Sequence, residues 1–244
     1  MEMKLPLSLA FFTTTKGHYD RKDIYRRTIS DLFEKLEGDC FSVKIAHIKL
    51  SEGEEAIAKE MSGFFSEWGI ESIITEGKWK HNDSSHYVEH AKDICKLFSS
   101  PQIQSQPFVF WLEDDFVFKL SKDKNLLNYF KEALAFLSSN PDLVCFRFLR
   151  HASDVERISA VKTGFDHILV SPKEFSFNPN LCRTRDLYWA ARIMEREFSR
   201  SGTHIETFFR MIMQSGSKTG DIACFHPDYV CVKHIGTPIG EEEI

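Results

Sequence analysis

Cysteine is sparse: six in 244 residues, at positions 40, 95, 145, 182, 224 and 231, with no C-x-x-C pair among them. That excludes a disulfide-stapled scaffold and the paired-thiolate zinc modules, which need closely spaced cysteines. Cys40, Cys95, Cys145 and Cys231 sit beside apolar residues. The set therefore reads as buried, reduced thiols, and a reducing compartment follows. Long apolar runs are missing as well; no stretch approaches the ~18–20 residues that a membrane helix needs. Leu5–Phe12 is short, interrupted by Pro6 and Ser8, and reads as a first β-strand rather than a signal peptide. The expectation is a soluble, cytoplasmic protein, with peripheral membrane attachment left open. Basic blocks are absent too. Thirty-one Lys and Arg stand against 36 Asp and Glu, a net charge of −5 without a long run of either sign. Phosphate-backbone binding needs a basic stripe, so nucleic acid is not an expected partner. Nor is there a glycine-rich phosphate loop of the G-x-x-x-x-G-K-[ST] or G-x-G-x-x-G kind.

What is present is an ordinary globular composition, 42% apolar and 27% charged. A chain this long buries roughly 70–75% of its extended surface. Apolar residues alternate between strand-like runs and helical spacing. Leu5–Phe12, 40–50, 70–75, Phe108–Leu112 and Leu143–Leu149 read as strands. Helical faces fall between them at Tyr25–Leu36, Ile57–Trp68, Tyr87–Phe98 and Asn125–Leu137. The alternation predicts an α/β fold with a mostly parallel central sheet flanked by helices. After residue 150 the pattern loosens. A strand at 166–170, helices at 186–198 and 205–214 and a late strand at 228–233 are expected, with loop elsewhere and one continuous sheet throughout.

Glu113-Asp114-Asp115 is the sharpest local feature. It follows the near-continuously apolar FVFWL, which marks a central strand buried on both faces. Ligands in open α/β sheets bind outside the carboxyl ends of strands. Three carboxylates there repel one another unless a cation sits among them, and Mg²⁺ or Mn²⁺ accepts carboxylate oxygens together with substrate phosphates. The alternative is a solvated turn. Strand alternation puts Glu113 and Asp115 on one side as metal ligands, Asp115 the direct one, with Asp114 pointing elsewhere as a cofactor-binding residue, the hydrogen-bonding or ribose neighbour.

An apolar strand ending in Glu-Asp-Asp, followed by Phe-Val-Phe and an amphipathic helix, resembles the DxD region of GT-A type glycosyltransferases. The resemblance implies a Rossmann-like GT-A fold over residues 1–244 as one domain. About 1–118 would form the nucleotide-sugar half and about 119–244 the acceptor half. It implies a nucleoside-diphosphate sugar as donor, a carbohydrate or other hydroxyl acceptor, and Mn²⁺ or Mg²⁺ as cofactor. In the loop after the first strand, Thr13, Thr14, Lys16 and Arg21 become candidate nucleotide contacts; otherwise Lys16 and Arg21 are surface cations. Glu206, in the first turn of a helix after Thr203, is either one half of a capping box or the base that deprotonates the acceptor in an inverting displacement. Asp83 is the second candidate base. His234 would complete the metal shell with Glu113 and Asp115, and Lys233 would meet the departing diphosphate, unless both are surface groups. Phe177, Asn178, Asn180 and Arg183 would line the acceptor, or else FNPN is a plain turn. A nucleotidyltransferase and a non-catalytic sugar- or nucleotide-binding module are the alternative functions. The chain is short for the glycosyltransferase class, and its acidic motif opens on Glu.

Overall fold

The computed structural model describes residues 4–15, 23–76, 85–121, 125–150, 155, 161–165, 167–172, 179–197, 205–215 and 221–235. The strands are β1 Leu5–Thr14, β2 Phe41–Leu50, β3 Glu71–Glu76, β4 Phe108–Glu113, β5 Phe116–Leu120, β6 Cys145–Arg147, β7 Val161–Lys162, β8 Ile168–Pro172, β9 Asn180–Arg183, β10 Asp221–Phe225 and β11 Val230–His234. The helices, in chain order, are α1 Ile24–Leu36, α2 Glu55–Glu67, α3 Ser85–Phe98, α4 Pro101–Gln104, α5 Leu126–Ser139, α6 Thr184–Glu197 and α7 Ile205–Ser215. Nine strands form one sheet in the order β3-β2-β1-β4-β9-β6-β10-β8-β7, and β11 and β5 pair separately.

The α/β sheet flanked by helices is the architecture expected. From β3 to β4 it is wholly parallel. Beyond β4 it is mixed: β9 runs antiparallel to both β4 and β6, while β10 is parallel to β6. β1 to β4 alternate with α1, α2 and α3, and such crossovers require parallel strands. Strand β9 enters from a different part of the chain and fills the gap between β4 and β6. A loop was expected where β9 and β10 lie.

β4 shows why its apolar run is unbroken. Trp111 faces the layer of α3 and α7, packing 5.3 Å from Phe12, 5.1 Å from Phe98 and 5.5 Å from Phe209, measured between ring centroids. Phe110 faces the other layer, 4.8 Å from Phe130 and 5.8 Å from Phe148. Both rings are fully buried. Truncating either to Ala would cost about 3–5 kcal/mol.

α1 forms because Tyr25, Ile29, Leu32, Phe33 and Leu36 fall on one buried face. It ends at Glu37, which takes a left-handed φ of 56°, followed by Gly38. Pro101 opens the short α4 rather than only closing α3; at a helix's first position its missing N–H costs nothing. Five of the six cysteines are buried, and all six are free thiols. Burial pushes the Cys40 and Cys224 thiols up to about 12, so neither carries thiolate near neutrality.

Candidate functional site

The register between β1 and β4 sets Phe12 beside Glu113, so both strands present their carboxyl ends at one edge of the sheet. There the chain leaves the sheet through a turn at Asp114–Asp115 and continues into β5. A polar stripe on α1 fixes this exit. Thr28 donates to the Asp114 carbonyl at 2.7 Å. Asp31 accepts from the Phe118 N–H at 2.7 Å, and Lys35 donates to the Phe118 carbonyl. Residues three and four apart share a helix face, so these three act together.

A cleft of about 230 Å³ opens at this edge. Phe12, Thr13 and Thr14 line it from β1, and Glu113, Asp114 and Asp115 from the turn. His47 and Lys49 come from β2, and His90 and Asp93 from α3. All three acidic residues therefore face the cleft, which corrects the expectation that Asp114 points away. Alternation holds only within a strand, and β4 ends at Glu113. Thr13 donates to the Asp114 carboxylate at 2.7 Å, and the Thr14 hydroxyl lies 3.3 Å from the Lys49 carbonyl.

His234 reaches Asp115 from the far end of the sequence. β11 pairs antiparallel with β5, setting His234 opposite Phe116, and the two rings stand edge to face at 5.3 Å. His234 Nε2 lies 2.8 Å from Asp115 Oδ2, and the Ile235 N–H donates to the Asp115 carbonyl at 2.7 Å. Among the described residues, no group of three or more His, Cys, Asp or Glu side chains is gathered to hold a metal ion by itself. Asp115 and His234 are the two side chains here that could hold a cation together. Such a pair suits Mn²⁺, or less well Mg²⁺, when phosphate oxygens and water complete the shell.

Opposite the acidic turn lies a polar cluster that sequence reasoning missed. Lys49 Nζ is 2.8 Å from Asp93 Oδ2, and His47 Nε2 is 3.4 Å from Asp93 Oδ1. The Thr75 hydroxyl donates to Asp93 at 2.9 Å and lies 2.9 Å from His47 Nε2. Burial opposes ionisation of Asp93, but the hydrogen bonds and charges of His47 and Lys49 outweigh it. The carboxyl is held below its ordinary pKa. The available signal was the spacing of His47 and Lys49, two apart in the mostly apolar second half of β2 and so on one face.

Two of the acceptor candidates are employed elsewhere. Asn180 is almost fully buried in the sheet, between Trp111 and Arg147, and accepts a hydrogen bond from the Cys182 thiol at 2.8 Å. Arg183 pairs with Phe108, at the end of β4 away from the acidic turn. Its guanidinium donates to the carbonyls of Leu143 at 2.6 Å, Asn140 at 2.9 Å and Leu137. It closes the C-terminus of α5, where helix carbonyls lack partners. Lys233 is exposed and alternates with His234 along β11, so its side chain leaves from the opposite face and does not line the cleft. Glu206 lies in the first turn of α7, one turn before Phe209. Lys16, Arg21, Asp83, Phe177 and Asn178 lie outside the described residues, as does Thr203. None of the helices among the described residues is long and apolar enough to cross a membrane.

No family model and no curated protein sequence matches the chain. Among solved structures it is similar to the apo form of mouse xyloside xylosyltransferase 1, at 13% identity and a TM-score of 0.42, over 85% of this chain and 80% of that one. So loose an overlap carries no argument about chemistry.

Proposed function

We propose that this chain is a glycosyltransferase that moves a sugar from a nucleoside-diphosphate sugar to a hydroxyl acceptor, assisted by Mn²⁺ or Mg²⁺. The observation that carries the reading is the pairing of Asp115 with His234 at the carboxyl edge of β4, Asp115 being one of three consecutive acidic residues that line the adjoining cleft. A divalent cation bound there would stabilise the negative charge that grows on the departing diphosphate. Asp115 and His234 are its proposed ligands, with Glu113 at the margin. Thr13 and Thr14 contact the nucleotide, and Thr13 also fixes the Asp114 carboxylate beside it. Glu206 takes the acceptor proton, and direct displacement at the anomeric carbon then inverts it. Asp83 is the second candidate for that role. Lys16 and Arg21 follow Thr14 closely enough in sequence to reach the same ligand, and Phe177 and Asn178 remain the proposed acceptor contacts.

The test is a panel of UDP-, GDP-, CMP- and dTDP-sugars, each with Mn²⁺ or with EDTA, read by thermal shift and by release of free nucleotide. A ligand that prefers the native state raises Tm by mass action. At least one sugar nucleotide should stabilise the protein only with the cation and should release its nucleotide when an acceptor is supplied. Pyrophosphate release from a nucleoside triphosphate would favour a nucleotidyltransferase instead. Binding without any release would favour a non-catalytic module. No response to any nucleotide would overturn the reading.

A further inference from the structure

The wall of the cleft opposite the acidic turn holds a lysine where strand β2 is otherwise closed to water. The Lys49 side chain is only 7% exposed. Lysines ordinarily extend their ammonium to solvent, and burying one costs several kcal/mol unless a partner compensates. Here Asp93 compensates at 2.8 Å, and Thr75 and His47 in turn hold Asp93. Side chains from β2, β3 and α3 thus converge on one ammonium in the cleft wall, whose Nζ is itself closed to solvent.

We propose that Lys49 binds the anionic diphosphate oxygens of the ligand, with Asp93 as its positioning partner; this rests on the nucleotide-sugar reading of the same cleft. An ammonium carries three donors, and the carboxylate of Asp93 takes up only part of that capacity. The cleft, at about 230 Å³, is smaller than the ~300–1,000 Å³ of pockets that enclose a whole ligand. It therefore holds one part of a nucleotide sugar. A diphosphate suits both walls. Its oxygens would face Asp115 and His234, which would hold the cation, on one side and Lys49 on the other. A base or ribose offers neutral acceptors only, and charge-assisted bonds are about twice as strong as neutral ones. Asp93 cancels most of the Lys49 charge at a distance, so Lys49 acts on the diphosphate at close range through directed hydrogen bonds rather than as a net positive charge.

The experiment compares wild type with Lys49→Met, which keeps the stem and removes the charge, and with Lys49→Arg. Calorimetry with Mn²⁺ measures UDP, GDP and CDP against uridine, guanosine and cytidine. Lys49→Met should weaken diphosphate binding about 10- to 100-fold, the value of a charged hydrogen bond, and leave nucleoside binding unchanged. Lys49→Arg should recover part of the loss. Equal losses for nucleoside and diphosphate would overturn the proposal, as would unchanged diphosphate affinity alongside a lowered Tm. If Lys49→Met leaves Asp93 too poorly compensated to fold, Lys49→Met with Asp93→Asn removes both charges and gives the same readout. Wild-type protein that binds no diphosphate would sink the glycosyltransferase reading and this proposal together. Wild type that binds, with Lys49→Met binding equally well, would sink this proposal alone.

Discussion

His234 Nε2 lies 2.8 Å from Asp115 Oδ2 although 119 residues separate them in the chain. The contact does not depend on two side chains meeting by themselves. β5 begins immediately after Asp115, β11 ends at His234, and the two strands pair so that the backbones bring both residues to one place. The Ile235 N–H on the Asp115 carbonyl closes the ladder. Held in this way, a carboxylate and an imidazole loses little further rotamer freedom when a ligand arrives.

Asp115→Ala should therefore remove most of the Mn²⁺-dependent gain in nucleotide affinity. His234→Ala should remove less, about tenfold, because a neutral imidazole attracts a hard cation less than a carboxylate does. Calorimetry with Mn²⁺ and with EDTA checks both. A His234→Ala protein that binds nucleotide and turns over like wild type would leave the imidazole a structural role only.

Arg183→Met should cost stability and spare the chemistry. Its guanidinium donates to three carbonyls at the close of α5 and the approach to β6. Hydrogen bonds from a charged donor are worth about 1.5–3 kcal/mol each, and the vacated carbonyls are partly rescued by water. A net loss of about 2–4 kcal/mol is expected, measured by urea unfolding. Acceptor KM should stay within about twofold, a change of less than ~0.5 kcal/mol. A raised acceptor KM with unchanged stability would return Arg183 to the acceptor site.

The contrast between β4 and β9 explains what could be read in the sequence. The FVFWL of β4 carries its own evidence, because a strand buried on both faces must be apolar throughout. The Asn180-Leu181-Cys182-Arg183 of β9 is four residues long and polar at both ends. It becomes a strand only because β4 and β6 leave a slot for it, and that pairing is invisible locally. Within the site, the meeting of the acidic turn with His234 was legible. Asp93 was not, since nothing in the SHYVEHAKDICKLF of α3 tells which of its charged residues faces a lysine on β2.

The Asp93 cluster gives the acid limb of stability a definite sign. The folded-state pKa of Asp93 is depressed, because His47 and Lys49 outweigh the effect of burial. A depressed carboxyl contributes stability that is present above its unfolded value, about 3.9, and is lost as pH falls through the folded value. Asp93→Asn leaves Lys49 buried without its counter-charge and should cost about 3–5 kcal/mol at pH 7. The gap from wild type should narrow below about pH 4 and close further toward pH 2. Unfolding measured across that range in both proteins checks it. A constant gap would show that the loss is one of packing rather than charge.

Glu206 offers the sharpest separation of binding from chemistry. It stands in the first turn of α7, where a carboxylate is favoured by the helix dipole whatever else it does. Phe209, one turn further on, is buried against Trp111, so the start of this helix is fixed to the strand that leads into the acidic turn. Glu206→Gln keeps the size of the side chain and its ability to accept a hydrogen bond. If the carboxylate serves only the helix, stability should fall by less than about 1 kcal/mol and transfer should stay near normal. If it is the general base, its proton acceptor is gone and the chemical step should slow by roughly 10²–10⁴. The second outcome is expected. Donor affinity should not change, because the proposed role faces the acceptor hydroxyl and not the diphosphate. Single-turnover transfer at saturating donor, with Tm measured alongside, distinguishes the two. A rate within about threefold of wild type, a difference of only ~0.65 kcal/mol, would remove Glu206 from the mechanism and direct the same experiment to Asp83.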